Sequence, residues 1–221
     1  DSSQLGIATA FQELSLIPTM TVLDNIKLGR ETVRRSGTID VKQDRRDVED
    51  LLKRFHLKCA PDAYVQTLMP STQSMLEVAK AVFAKPRLLL LDEVTATLHQ
   101  DEIEVLFQIL RELKEHGVSI IYVTHRMKEI AQLCDSAVIM RNGESYAVGK
   151  KLGEALIAAK LKSTGKYPEK NHGYHVTQVL DPEGEPVLTV KDLKYSPKVK
   201  GINLEAYRGE IVGISGLDGQ G

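Results

Sequence analysis

The sequence has little cysteine, no excess of either charge and no long apolar run. Its 221 residues include only two cysteines, Cys59 and Cys134. Their small number and wide separation favour two reduced thiols lining the core of a cytosolic protein over a disulfide framework. Lys and Arg number 29 against 30 Asp and Glu, a net charge of −1. The overall charge therefore gives no argument for wrapping nucleic acid or for lying on an anionic membrane.

A membrane span and a leader are also missing from the sequence. No run of 18 or more apolar residues is present, so no transmembrane helix is predicted. Asp1 opens no signal peptide, and because it is not methionine we expect the start of the protein to be missing. With 42% hydrophobic and 27% charged residues, the chain is predicted to be globular and soluble, with room for one large domain or one and a half ordinary ones.

Three segments carry helical patterns. Thr21 and Asp24 in TVLDNIKL have the spacing of a capping box, which predicts the start of a short helix. DVEDLLKRF and DEIEVLFQILRELKEHG place their apolar residues on one stripe, as helices that pack on a core do. The stripe residues are Val48, Leu51, Leu52 and Phe55 in the first segment and Ile103, Leu106, Phe107, Leu110 and Leu113 in the second. Asp101 and Glu104 suit the first turn of the longer helix, and Gly117 suits its end.

Three short apolar segments, RLLLLDE, VSIIYVTH and SAVIMRNG, lie among these helices. Each is continuously apolar and is flanked by polar or turn residues, as strands buried on both faces are. Strands that alternate with helices predict an α/β fold with a parallel sheet covered on both sides.

Polar residues follow two of the predicted strands, at the sheet edge where ligands of α/β proteins bind. Asp92 and Glu93 come directly after the first strand, and His125 follows the second. One carboxylate suits holding Mg²⁺ with the phosphates of a nucleotide, and the next suits polarising an attacking water. The alternatives are a solvated Asp–Glu pair that opens a loop and a histidine that caps or packs. The three residues together favour the chemical interpretation.

Several segments, in order along nearly the whole chain, resemble the ATP-binding cassette (ABC) ATPases. LLLLDEVTATL is similar to their Walker B motif and D-loop, VTHRMKEI to their switch-histidine segment, and AFQELSLIPTMTVLDNIKLGRE to their Q-loop region. The Q-loop phrase, MLEVAKAV and THRM are together similar to the sugar-type importer ATPases that carry two cassettes in one polypeptide. The resemblance implies a P-loop NTPase fold with a parallel sheet core and a helical subdomain. It also implies ATP hydrolysis that feeds a small sugar such as ribose, galactose or xylose through a membrane permease.

The resemblance implies roles for four residues. Asp92 would hold Mg²⁺, Glu93 would be the general base, and His125 would hydrogen-bond the γ-phosphate of ATP. Gln12 would contact the Mg²⁺ or the attacking water and carry the signal to the permease. Without its neighbours, Gln12 would be interpreted as a surface amide after a strand.

The same family touches its permease helix with the segment that follows the Q-loop, here 14–29. Leu16, Ile17 and Met20 are therefore candidates for this interface and, equally, for the core.

The end of the chain resembles the opening of a second cassette. A helix-like stretch, GEALIAAKLK, leads into polar residues rich in Pro and Gly, which are typical of a linker. PVLTVKDLKY and GINLEAYRGEIVGISG then predict strands before a glycine-rich turn. We predict a first cassette over 1–160, a linker over 161–186 and the start of a second cassette over 187–221.

Gly216, Gly219 and Gly221 would belong to the Walker A motif of that second cassette, whose backbone N–H groups cradle phosphates. A plain tight turn is the alternative. The Walker A of the first cassette would lie before Gln12, outside the chain, so the fold is expected to be incomplete at both ends. We therefore expect the central sheet to expose an edge and part of its core.

The signature segment departs from the family pattern. LMPSTQSMLEVAKAV has Met69 in place of the serine and Ser71 in place of the glycine. A thioether cannot donate to phosphate, and a side chain at the glycine position obstructs close backbone approach. Ser71 used as an offset helix cap would not restore the glycine. We expect this half-site to be weak or dead, and Val94, where proline is usual, to alter only loop rigidity.

The predicted cofactors are ATP and Mg²⁺. The predicted partners are a membrane permease and, indirectly, an external sugar-binding protein, with two cassettes paired head to tail at the cytoplasmic face of the membrane. The sequence does not name the sugar. Two other classes stay open: a soluble cassette ATPase that acts on nucleic acid or ribosomes, and a truncated, non-catalytic interaction module. Nucleic acid is not a predicted partner, and the isolated 221-residue chain is predicted to be inactive without a complete Walker A.

Overall fold

A computed structural model describes residues 4–141, 144–148, 185–195 and 199–216. The chain divides into two compact units, 1–110 and 111–221. In the first, the elements are β1 (Ile7–Ala10), α1 (Val22–Lys27), α2 (Val41–Arg54), a 3₁₀ helix (Val65–Thr67), α3 (Pro70–Phe83), β2 (Leu88–Asp92) and the start of α4 (Gln100–Glu115). In the second they are β3 (Ser119–Val123), α5 (Met127–Leu133), β4 (Ser136–Arg141), β5 (Glu144–Val148), β6 (Leu188–Tyr195), β7 (Val199–Ala206) and β8 (Ile211–Gly216).

The predicted helices form where their sequence patterns place them. At the start of α1, the hydroxyl oxygen of Thr21 accepts a hydrogen bond from the backbone N–H of Asp24 at 3.1 Å, so the predicted cap is confirmed. The apolar stripes of α2 and α4 are buried, with no member more than 9% exposed. These helices are therefore held by packing of one face, as the 3.6-residue periodicity predicts.

In the first unit, β1 and β2 are parallel neighbours, with Ile7 opposite Leu88 and Ala10 opposite Leu91. Helix α3 packs against both strands, and its residues Met75, Leu76, Val78 and Ala79 are at most 2% exposed. Because β1 and β2 run in the same direction, their carboxyl ends lie at one edge of the sheet.

A buried cation joins the helices of the first unit. The Nζ of Lys27, on α1, lies 2.8 Å from a carboxylate oxygen of Asp44 and 2.5 Å from one of Asp47, both on α2. It also lies 4.9 Å from the ring centroid of Phe83 on α3, within range of a cation–π contact. Burial opposes the charge on Lys27, but the hydrogen bonds to the two carboxylates outweigh it and raise the pKa of Lys27 above its ordinary value. This cluster ties three helices together through one side chain.

In the second unit, β8 lies between β3 and β4 and is parallel to both. β5 is antiparallel to β4, and β6 and β7 form a separate antiparallel pair. Ile211 and Val212 of β8 are at most 2% exposed, and the backbone N–H of Ile211 donates to Asp135 at 3.1 Å. The predicted parallel sheet is confirmed.

β8 takes an internal position in this sheet that the sequence patterns did not predict. A strand from the segment that we predicted to open a second cassette is paired on both sides, so the space between β3 and β4 is filled. The physical reason is that an apolar strand gains hydrogen bonds and burial wherever two parallel neighbours accept it.

The remaining predictions have mixed outcomes. Cys59 and Cys134 are free thiols, and burial raises the pKa of Cys134 to about 12, so its thiol is unreactive. Among the described residues, no helix is long and apolar enough to cross a membrane. The predicted helix GEALIAAKLK and nearly all of the predicted linker lie outside the described residues.

Replacing Lys27 by methionine should destabilise the protein strongly. The change would leave the Asp44 carboxylate, whose side chain is 5% exposed, without its cation, and loss of one partner of a buried pair typically costs about 3–5 kcal/mol. The free energy of unfolding, measured by urea denaturation of the intact protein, should fall by roughly 3 kcal/mol, and adding Asp44→Asn should recover part of the loss. Lys53→Met, in an exposed pair with Asp50, is the control and should change little. Equal effects of both single changes would contradict the role of the cluster.

Candidate functional site

The candidate site lies in the first unit, at the carboxyl ends of β1 and β2. Gln12 comes two residues after the end of β1, and Glu93 comes directly after Asp92, the last residue of β2. Because Ala10 is paired with Leu91, the two strands end at the same level of the sheet edge. Gln12 and Glu93 consequently line one pocket of about 230 Å³.

The pocket is built from three parts of the first unit. Its lining residues are Phe11, Gln12 and Leu14 after β1, Ser74 on α3, and Glu93, Val94, Ala96 and Thr97 after β2. The hydroxyls of Ser74 and Thr97 are hydrogen-bonded at 2.8 Å, which ties α3 to the loop after β2. The pocket thus presents a carboxylate, an amide and two hydroxyls, next to an exposed aromatic ring, Phe11.

The backbone of Glu93 adopts an unusual conformation. Its φ is +49°, in the left-handed region that residues other than glycine rarely occupy. The carbonyl oxygen of Glu93 accepts from the N–H of Ala96 at 3.1 Å, and Thr95 inside this turn is only 1% exposed. The turn holds the strained conformation, and strain of this kind is typical of functional positions.

Asp92 and Glu93 form a half-buried pair of like charges. Partial burial, and then the charge of Glu93, raise the pKa of Asp92 above its ordinary value. A cation near the two carboxylates would relieve both effects. The described residues contain no group of three metal-ligating side chains.

His125 belongs to the second unit, where it follows β3 and is exposed. Its neighbour Thr124 is 3% exposed and donates to the buried carboxylate of Glu129 at 3.0 Å. Tyr122 donates to the same oxygen at 2.7 Å, and the N–H of Arg126 donates to the hydroxyl of Thr124 at 3.0 Å. The Thr124 hydroxyl therefore links Glu129 of α5 to the backbone of Arg126 on the other side of His125.

The signature segment forms the start of α3. Met69, not Ser71, is the N-cap residue, it makes no side-chain cap hydrogen bond, and Pro70 opens the helix. Ser71 is 8% exposed and donates to Glu102 at 3.0 Å. Proline at the first helical position starts the helix two residues earlier than a Ser71 cap would require, so the Ser71 hydroxyl bonds to a neighbouring helix instead of capping its own. The Met69 side chain is 68% exposed.

The other predicted residues divide between core and surface. Leu16 is 6% exposed and belongs to the core, whereas Ile17 is 37% exposed and Met20 is half-buried. Gly216 ends β8, and Gly219 and Gly221 lie outside the described residues.

Most of the residues that line the pocket are not predicted by the sequence patterns. Ser74 and Thr97 are ordinary polar residues in segments far apart in sequence, and nothing in their pattern predicts that they meet. The sequence does mark one of the missed residues as unusual. Glu77 is a charged residue on the apolar stripe of α3, and it is 2% exposed. A charge at such a position predicts a specific partner.

Comparisons with known proteins agree with this geometry. The sequence model of the family described as ABC transporter matches residues 1–96. A ribose import ATP-binding protein, RbsA 1, of Rhizobium etli is 38% identical over 224 residues, which cover 100% of this chain and 43% of that protein. RbsA 2 of Streptomyces coelicolor is 39% identical over 222 residues, 100% of this chain and 42% of the relative. The chain thus spans less than half the length of the curated relatives it matches.

Solved structures show the same fold. A dimeric post-hydrolysis ATP-binding cassette bound to ADP and phosphate matches with a TM-score of 0.53 and 25% identity, over 60% of this chain and 57% of that one. An inward-facing, putative metal-chelate type ABC transporter matches with a TM-score of 0.55 and 17% identity, over 66% of this chain and 59% of the other, which is a likeness of fold alone. Residues 1–96 are therefore similar to the ABC transporter family, in a chain that has the α/β P-loop NTPase fold of ATP-binding cassettes.

Proposed function

We propose that this chain is part of an ATPase subunit that energises the import of a small sugar through a membrane permease. The observation that carries the proposal is the pocket shared by Gln12 and Glu93 at the carboxyl ends of two parallel strands. The names of the ribose import relatives support sugar as the transported class. The proposed location of the protein is the cytoplasmic face of the membrane.

In this proposal four residues divide the chemistry of phosphoryl transfer to water, and two of them, Gln12 and Glu93, line the pocket. Asp92, with the amide oxygen of Gln12, would hold Mg²⁺, which supplies charge neutralisation on the phosphates when bound. Glu93 would orient and deprotonate the attacking water, and its left-handed backbone fixes the carboxylate at the mouth of the pocket. His125 would donate a hydrogen bond to the γ-phosphate.

The altered signature segment makes the proposed ATPase asymmetric. Met69 offers a thioether at the start of α3, and the hydroxyl of Ser71 is occupied by Glu102. Neither side chain is arranged to donate to the γ-phosphate of an opposite cassette. The composite site that pairs this segment with the glycine-rich turn at 216–221 would be weak, and the site that contains Glu93 would hydrolyse ATP. Head-to-tail pairing of two cassettes is part of this proposal.

The surface after the pocket is the proposed contact with the permease. Ile17 is exposed, and its backbone N–H and carbonyl bond to the buried side chain of Asn25 at 2.7 and 3.0 Å. An apolar side chain on a loop held in this way suits a docking contact. An external sugar-binding protein would act through the permease and not on this chain.

Changing Glu93 to glutamine should abolish turnover and spare nucleotide binding. Loss of a general base typically lowers the rate by about 10²–10⁴-fold, whereas the amide keeps the size of the side chain. The measurement is phosphate release from Mg-ATP by the intact protein, with binding of a fluorescent ATP analogue in parallel. Glu104→Gln, on the exposed face of α4, is the matched control. Unchanged turnover in the Glu93 variant would refute the assignment.

Changing Asp92 to asparagine should stabilise the protein at neutral pH. The pKa of Asp92 is raised in the folded state, so the wild-type protein loses stability as pH rises through the ordinary carboxyl range, and the amide avoids that loss. At pH 7 the melting temperature should rise by up to about 3 °C, and the difference should shrink as pH falls below about 4, where the wild-type carboxyl is protonated in both states.

The response to added Mg²⁺ distinguishes a metal-binding role of Asp92 from a general effect of the substitution on stability. Added Mg²⁺ should raise the melting temperature of the wild-type protein and have much less effect on Asp92→Asn. Asp50→Asn, on the exposed face of α2, should behave like the wild type throughout. A variant that melts below the wild type at pH 7, or that gains equally from Mg²⁺, would contradict the proposed role of Asp92.

A further inference from the structure

Helix α3 carries a buried carboxylate that binds the loop following Gln12. Glu77 is 2% exposed, and both of its oxygens accept hydrogen bonds from Ser15. The backbone N–H of Ser15 donates to one oxygen at 3.1 Å, and the Ser15 hydroxyl donates to the other at 2.7 Å. One exposed loop residue thereby satisfies both oxygens of a charge inside the packed face of α3.

Lys80, one turn further along α3, binds the same loop residue. Its Nζ lies 3.4 Å from the carbonyl oxygen of Ser15 and 3.4 Å from the hydroxyl oxygen. Ser15 is therefore held through its N–H, its carbonyl and its side chain by two residues of one helix. Hydrogen bonds to charged groups are stronger and more directional than those between neutral groups, so the loop at Ser15 has to follow α3 when α3 moves.

The two ends of this connection lie at places that matter for the proposed function. Ser15 directly follows Leu14, which lines the pocket with Gln12 and Glu93. It also precedes Ile17 on the proposed permease-facing surface. At its other end, α3 begins with the signature segment. The hydrogen bonds between Ser15 and Glu77 thus join the pocket, the proposed docking loop and the signature helix.

An alternative is that Glu77 serves the fold alone. A buried carboxylate is costly, and an apolar side chain of similar size would pack between Leu76 and Val78 without that cost. The chain instead uses a charge that accepts hydrogen bonds from the backbone N–H and the hydroxyl of a loop residue, Ser15. This arrangement stabilises one position of the loop more than it stabilises the core.

We propose that Glu77 is a positioning residue that, through Ser15, couples ATP hydrolysis at the pocket to the permease-facing loop. The inference rests on the proposed function. Without these hydrogen bonds, Gln12 and Glu93 still line the pocket. Movement of the docking loop, however, is no longer linked to movement of α3.

The test compares two rates in the intact protein. The first is Mg-ATP hydrolysis by the subunit without its permease. The second is hydrolysis by the complex with the permease and binding protein in proteoliposomes, with ribose as the probe. The ratio of the second rate to the first measures coupling.

Ser15→Ala should lower this ratio by about tenfold or more, as expected for loss of one charge-assisted hydrogen bond, and leave the rate without permease within about twofold of the wild type. Ser15→Thr retains a hydroxyl and should restore the ratio. Glu77→Gln retains the size of the side chain, loses the charge, and should lower the ratio with little change in melting temperature. The matched control is Ser36→Ala. Ser36 lies in an exposed loop, and its hydroxyl is hydrogen-bonded to that of Thr38, two residues away.

Three outcomes decide the matter. A lower ratio in Ser15→Ala with rescue by Ser15→Thr supports the inference. An unchanged ratio, or an equal loss of both rates, would mean that Ser15 and Glu77 serve the fold alone and would overturn it. Absence of Mg-ATP hydrolysis by the wild-type complex would overturn the proposed function and this inference together.

Discussion

The parallel pairing of β1 with β2 is the constraint on which the candidate site depends. Ala10 stands opposite Leu91, and this register brings the two chains out of the sheet side by side, with Gln12 and Glu93 on one pocket. A slip of one residue would turn every side chain of β1 to the other face and would move the amide away from the carboxylate. The burial of Ala10, Leu89 and Leu91, none of which is measurably exposed, specifies the register. The apolar core therefore sets the geometry of the chemistry.

The site itself reduces the stability of the fold that holds it. Asp92 and Glu93 repel one another at the end of a buried strand, and Glu93 has a left-handed backbone. Both features oppose folding and both suit binding of a cation and a phosphate. The helices around them compensate through contacts that carry no chemistry, such as the Lys27 cluster, which joins α1, α2 and α3. Local strain at the pocket thus depends on cooperative packing elsewhere in the first unit.

Local patterns in the sequence predict the elements whose stability is local, and the rest requires the tertiary structure. Strands β2, β3 and β4 and helices α1, α2 and α4 follow from apolar runs, helical stripes and the cap at Thr21. The Asp92–Glu93 pair follows from the strand before it. The insertion of β8 between β3 and β4 does not follow, because pairing partners distant in sequence leave no local pattern. The partnership of Glu77 with Ser15 is hidden for the same reason, although the charge on an apolar stripe marks Glu77 as unusual.

The first turn of helix α3 departs from the family pattern, whereas the middle of the helix makes a charged contact with the loop after β1. Met69 at its N-cap carries a thioether and the Ser71 hydroxyl is directed to Glu102, so neither of these two side chains is arranged to donate to a phosphate beyond the helix. Its middle keeps a charged contact to the loop after β1 through Glu77 and Lys80. In the proposed function, binding of an opposite nucleotide would depend on the first turn, whereas transmission of movement would depend on the rigidity of the helix and on that contact. Under the proposed function, the half-site at this helix can therefore be weak in chemistry while the helix still links the pocket with Glu93 to the permease-facing loop.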